Sequence, residues 1–368
     1  QANLMDSSGI TQVIARLRSQ AHELWPETPP QDFRIVRHLL RPYSNVYRLL
    51  LVSPHAPAAS FVYVKILAPR TKSSANPEKY IARLAAEFSA GQRLYASFRH
   101  EKEFAVIKPV AYYPEFLAIV SEEAPGESLA HLIAREGRLW PAFEKMERLA
   151  KHCRRAGQAL AAMQKATPET AKFNPAEMVG YIDVRLQRLL ASEQTPFSSA
   201  DRRQILKFLE FAIPAIPPEQ LGSCGTHGDY APFNLLAAPK KITVADFTMF
   251  KVGSVYNDLT YFHHRLEGYL HKPIYRLQTI RRLQNAFLDG YVETMGKTKQ
   301  QWRVAGDLLF KIHWIKHVVN NYSALVRQRV VSTSKAAPFS AQLFNRHVFR
   351  RYNRWLNQFC QEKPLLFF

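Results

Sequence analysis

The run Thr226-His227-Gly228-Asp229-Tyr230-Ala231-Pro232-Phe233-Asn234-Leu235-Leu236, followed by Ile242-Thr243-Val244-Ala245-Asp246-Phe247, carries three oxygen-bearing side chains in an order that could do chemistry. Asp229 stands in a loop, Asn234 follows five residues later, and Asp246 ends an apolar strand. If the three meet in one cleft, a carboxylate can orient a hydroxyl and accept its proton while hard oxygens hold Mg²⁺. Those are the parts that transfer of a phosphoryl group requires, since it asks for positioning and charge neutralisation and little covalent help from the protein. Asp229 or Asn234 alone would read as a turn or capping residue. Their joint order is what points to chemistry.

A second unusual residue lies far upstream. Phe61-Val62-Tyr63-Val64-Lys65-Ile66-Leu67 sets one lysine in the middle of an apolar strand, where a charge is unfavourable without a partner. A nucleotide phosphate together with a carboxylate would supply one.

At these residues the chain resembles the aminoglycoside phosphotransferase and choline kinase family, distant relatives of the protein kinases, whose pattern is His-Gly-Asp-x-x-x-x-Asn followed by a strand ending in Asp. The resemblance covers about residues 35–270. It implies Mg²⁺ and ATP as cofactors, Asp229 as catalytic base, and Asn234 and Asp246 as Mg²⁺ ligands, with His227 bracing the loop. Asp258, in Gly253-Ser254-Val255-Tyr256-Asn257-Asp258-Leu259, would support that loop structurally without being catalytic. Glu87, with Glu78 the weaker candidate, is similar to the helix glutamate that pairs with the strand lysine. Arg41–Arg48 occupies the place of the nucleotide loop, with Ser44 and Asn45 as its candidate contacts, and lacks the glycines of protein kinases. Ser121, Glu122, Glu123 and Ala124 look like the hinge that would hydrogen-bond adenine through its backbone.

The elements needed to position these residues are legible in the periodicities. An amphipathic helix is expected over 8–25. Alternating runs then predict strands at Phe33–Leu40, Asn45–Val52, Ser60–Leu67, Phe104–Tyr112 and Phe116–Ser121. One helix is inserted among them, capped by Asn76 with Pro77 at its first position, and Ile81, Leu84, Ala85, Phe88 and Leu94 form its apolar face. Beyond about residue 125 the pattern is mostly helical, near 141–166, 176–194, 199–212, 256–270, 276–295, 300–330 and 340–359, with a β-like island at Leu235–Phe247. The expected fold is α+β and bilobal, protein-kinase-like, with a small antiparallel-sheet N-lobe over 1–121 and a large, mainly helical C-lobe over 122–368.

Bulk properties narrow the partners. The 368 residues carry 50 Lys and Arg against 30 Asp and Glu, a net charge of +20, and residues 261–368 alone hold 18 basic and 5 acidic side chains. Such a field attracts anions and disfavours a polycationic antibiotic or choline as acceptor. The expected reaction is phosphorylation of a hydroxyl on a small molecule or glycoconjugate, with an anionic sugar or cell-envelope saccharide as the favoured acceptor. A neutral metabolite or amino alcohol is the first alternative. The second is a catalytically silent module that binds nucleic acid or an acidic membrane through the basic C-terminal region, and retention of Lys65, Asp229, Asn234 and Asp246 speaks against it. Cys153, Cys224 and Cys360 are odd in number and widely spaced, which fits a reducing compartment. With no run of about 18 apolar residues, a cytoplasmic location is expected, with peripheral contact at an anionic inner membrane face allowed. His313 and His317, four apart, lack the glutamate of a zinc-binding helix and read as packing residues.

Overall fold

The computed structural model describes residues 6–41, 43–53, 59–68, 77–193, 195–297, 299–332 and 339–360; Asn76 and the terminal Pro364–Phe368 lie outside them. In chain order the first elements are α1 (Asp6–Ser19), α2 (Ala21–Leu24), β1 (Asp32–Arg41), β2 (Ser44–Val52), β3 (Ser60–Leu67), α3 (Pro77–Phe98), β4 (Phe104–Val106), β5 (Pro109–Tyr113), β6 (Ala118–Glu122) and β7 (Glu127–Ser128). Then come α4 (Leu129–Glu136), α5 (Phe143–Ala166), β8 (Pro168–Glu169), α6 (Glu177–Leu190), α7 (Ser199–Ala212) and β9 (Ser223–Thr226). The chain continues through β10 (Leu235–Ala237), β11 (Ile242–Val244), β12 (Lys251–Ser254), α8 (Tyr256–Glu267), α9 (Leu277–Thr294), α10 (Lys299–Ser332) and α11 (Phe339–Phe359). These fall into two compact units, residues 1–128 with 234–250, and residues 129–233 with 251–368.

In the first unit a five-stranded antiparallel sheet runs in the order β1-β2-β3-β6-β5. Alternation along β3 decides which face does what. Val62, Val64 and Ile66 join Ile10, Val13 and Leu17 of α1 in one core. Phe61, Tyr63 and Lys65 therefore occupy the other face. There α3 packs, with Leu84 against Leu67 and Ile119. The expected strand over 104–112 is broken: β4 leaves this sheet and pairs in parallel with β11, while β5 stays. Pro109 sits at the start of β5, where its missing N–H is tolerated. The expected island at 235–247 is a hairpin, β10 against β11, within a four-stranded sheet of order β4-β11-β10-β7.

The second unit is helical around a three-stranded sheet of order β12-β9-β8. Its core includes Phe262, Phe287, Trp314, Tyr322 and Phe349, all buried. Helices α5 and α9 approach backbone to backbone through paired glycines. A Cβ on Gly157 would lie 1.9 Å from Phe287 O, and one on Gly290 would lie 2.0 Å from Arg154 O. No described helix is long and apolar enough to cross a membrane.

Candidate active site

Lys65 is the centre of the site in the first unit. Its Nζ donates to Glu87 Oε1 at 2.9 Å and to Asp246 Oδ1 at 2.8 Å, and it also donates to the Thr248 hydroxyl. Glu87 is three residues beyond Leu84, so the turn that packs α3 on the sheet also aims this carboxylate at the lysine. Thr248 Oγ1 lies 3.0 Å from Glu87 Oε2 and also bonds Asp246. Arg83, one turn before Glu87, donates to Thr248 O at 2.9 Å, so α3 grips the segment after β11 at two points. Burial alone would lower the Lys65 pKa; the Glu87 and Asp246 carboxylates outweigh it and hold the ammonium above its ordinary value. Asp246 has φ 67°, a left-handed backbone uncommon outside glycine and one that stores strain where it recurs at functional sites.

Register brings the two candidate metal ligands to one end of one hairpin. Leu235 pairs with Val244, and Ala245 N donates to Asn234 O at 3.0 Å, so Asn234 precedes β10 where Asp246 follows β11. A half-exposed carboxylate and an amide oxygen make a hard-oxygen donor set, which fits Mg²⁺ with water completing its shell. No group of three or more His, Cys, Asp or Glu able to hold a metal occurs among the described residues, and His313 and His317 are buried packing groups.

The predicted nucleotide contacts divide by face. Ser44 pairs with Leu67 and Ser121 with Tyr63, which puts both on the Lys65 face. Asn45 pairs with Ile66 on the opposite face, and its Oδ1 lies 3.3 Å from His38 Nε2. In the hinge segment, Glu122 N donates to Lys108 O and Glu123 N to Phe61 O, at 2.9 and 3.0 Å. The Glu123 carboxylate takes both arms of Arg48 at 2.7 Å, and that guanidinium lies 3.4 Å from the Phe61 ring centroid. Ala124 N makes no hydrogen bond to another backbone carbonyl among the described residues.

In the second unit β9 delivers the loop His227-Gly228-Asp229. Asp258, in the first turn of α8, accepts from His227 N at 2.6 Å and from Gly228 N at 2.9 Å. Gly228 has φ 78°, which a glycine adopts without penalty. Asn257 Nδ2 donates to Asp258 Oδ1 at 3.0 Å, and Lys316 of α10 donates in turn to Asn257 Oδ1. Asp258 is fully buried, and that burial raises its pKa against the opposing pull of His227 and the two loop amides. Tyr230 hangs the other side of the loop on α5, its hydroxyl donating to Ala156 O at 2.7 Å. The Tyr261 phenol bonds the half-buried Asp229; burial and then that carboxylate push its pKa up.

Thr248 and Tyr261 escaped the sequence reading. Thr248 lies two residues past Asp246, and Tyr261 one turn past Asp258; those offsets are the only signals that could have flagged them.

The model of the APH phosphotransferase enzyme family matches residues 62–304. Curated protein sequences contain no significant match to the chain. Among solved structures it is similar to a choline kinase from Cryptosporidium parvum, at 11% identity and a TM-score of 0.58, covering 95% of this chain and 96% of that one. It is also similar to a choline/ethanolamine kinase family protein from Mesorhizobium loti, at 13% identity and 0.53, covering 95% of each. A third likeness is to an amicoumacin kinase in complex with AMP-PNP, Ca²⁺ and Ami, at 14% identity and 0.51, covering 92% of this chain and 93% of that one. These likenesses establish the fold as the α+β, protein-kinase-like one. With the family model matching well over half of its length, the chain belongs to the APH phosphotransferase enzyme family.

Proposed function

We propose that the protein transfers the γ-phosphoryl group of ATP to a hydroxyl of a small molecule or glycoconjugate. The observation that carries this reading is the half-buried ammonium of Lys65, fixed between Glu87 and Asp246. A lysine held in this way is a preorganised partner for phosphate oxygens, with no reorganisation needed when they arrive. Ser44 and Ser121 share its face of the sheet, and the Ala124 amide is the hinge donor left for adenine.

Asp246 and Asn234 would hold Mg²⁺, which supplies charge neutralisation across the phosphates. Asp229 orients the acceptor hydroxyl and takes its proton. The acceptor oxygen then bonds to the γ-phosphorus as the bond from phosphorus to the β–γ bridging oxygen breaks, giving ADP, a phosphomonoester and one proton. Tyr261 keeps the Asp229 carboxylate oriented. His227 and Asp258 set the height of the loop.

The test is Mg·ATP turnover, followed as ADP release and, with a metabolite and glycan library, as an added phosphate by mass spectrometry. Asp246→Asn and Asp229→Asn are each expected to lower kcat by about 10²-fold or more. Turnover at wild-type rates in both variants would refute the reading.

A further inference from the structure

Beside the loop that carries Asp229, the second unit contains a cavity of about 350 Å³, within the ~300–1,000 Å³ of small-molecule sites. Pro232 and Phe233, directly downstream of Asp229, form one wall; His264, Arg265, Tyr269 and Lys272 come from α8 and the turn after it. Arg265 lies four residues beyond Tyr261, the residue bonded to Asp229. Its guanidinium carbon is 5.2 Å from the Phe233 ring centroid and 6.0 Å from that of Tyr261. The cavity therefore has one wall residue, Arg265, that stands one helical turn from the residue that bonds the candidate base.

Its chemistry is one-sided. None of the lining residues is acidic, and neither Arg265 nor Lys272 forms an ion pair among the described residues. Glu267, on the same helix as Arg265, is buried and bonded by Gln284 at 3.0 Å. His264, only 2% exposed, keeps Nδ1 without a hydrogen-bond partner, and both ring nitrogens of the neighbouring His271 are likewise unpartnered. A primary ammonium entering this space would lose water beside two unpaired cations. A phosphate or carboxylate would meet the planar fork of Arg265 and gain two parallel hydrogen bonds. Phe233, Tyr269 and Tyr352 offer ring faces for the apolar side of a sugar.

We propose that this cavity is the acceptor site and that the acceptor is an anionic polyol, its hydroxyl directed to Asp229 and its phosphate or carboxylate held by Arg265 and Lys272. This rests on the phosphotransferase reading above and assigns that same site its substrate class.

The test is calorimetric titration at low ionic strength with probes that share a hexose ring: glucose, glucose 6-phosphate, glucuronate and glucosamine, with inorganic phosphate alongside. Glucose 6-phosphate or glucuronate is expected to bind about tenfold or more tighter than glucose, with glucosamine weakest. Which anion wins identifies phosphate or carboxylate as the recognised group. Arg265→Gln should erase that preference, while Arg265→Lys, which keeps the charge and loses the fork, should retain part of it. Glucosamine binding as well as the anionic hexoses, inorganic phosphate matching glucose 6-phosphate, or a preference that survives Arg265→Gln would overturn the proposal. ADP release by wild type and Asp246→Asn, run in parallel without acceptor, tests the phosphotransferase reading separately. Failure of that arm beside an intact anion preference would indict the reaction and spare the pocket.

Discussion

Asp258→Asn isolates the loop support from everything that touches phosphate. Asp258 accepts two backbone amides, from His227 at 2.6 Å and Gly228 at 2.9 Å, and a third bond from Asn257. The amide side chain keeps the volume and one acceptor oxygen, so one loop N–H finds an NH₂ group in place of an acceptor. An unsatisfied buried donor costs about 1–3 kcal/mol. Burial already penalises the Asp258 charge, as its raised pKa records, and removing the charge offsets part of that loss. A net destabilisation of about 1–2 kcal/mol follows, a few degrees in Tm for a chain of this size. The effect on turnover is larger, because a displaced loop moves the base itself: a shift of roughly 1 Å lowers kcat by about 10²-fold. Lys65, Glu87 and Asp246 belong to the other unit, so KM for ATP is expected to stay within about threefold of wild type. ADP release and thermal melting measure all three quantities. A kcat near wild type, or a rise in KM that accounts for the whole loss, would refute the role of Asp258 as the support of the loop.

Two further outcomes concern stability. Gly157→Ala should destabilise the chain by about 3 kcal/mol or more, since its Cβ would fall 1.9 Å from a backbone oxygen. The control is Gly180→Ala on α6, where no atom lies within 4 Å of the added carbon and a helix gains about 0.5–1 kcal/mol; equal melting temperatures for the two variants would contradict the packing argument. Burial depresses His152 and His271 to about 4 and His263 to about 3. The unfolded chain takes up these protons near pH 6.5 and the folded chain holds them off, so stability falls as pH drops from about 6.5 towards 4. Urea midpoints at pH 7.5, 6 and 5 should decline steadily, and a flat profile would disprove it.

Lys65 was legible because it breaks an apolar alternation, and Asp229, Asn234 and Asp246 because their spacing survives without coordinates. Glu87 came from the resemblance to the family's helix glutamate, and the structure adds the physical reason: it lies one turn beyond Leu84 of the packed face, whereas Glu78 stands nine residues earlier at the exposed start of α3. The face taken by Asn45 was not legible. It depends on which residue of β3 stands opposite, and a one-residue shift inverts it. The small sheet that flanks the Asp229 loop was missed for another reason. Ser223-Cys224-Gly225-Thr226 and Lys251-Val252-Gly253-Ser254 are too short and too polar to show an alternation, and pairing with each other is what makes them strands. Thr248 and Arg265 are ordinary residues until the fold gives them neighbours.

The glycine seam of α5 and α9 has a consequence beyond stability. Ala156, whose carbonyl carries the Tyr230 hydroxyl, is the residue next to Gly157. With no side chain between the two helices at that level, their separation has no compressible filling, and the seam works as a hard datum from which the elevation of Asp229 is measured. Sequence drift on the outer surface of α9 leaves that datum untouched. One methyl group inside it would re-zero the instrument.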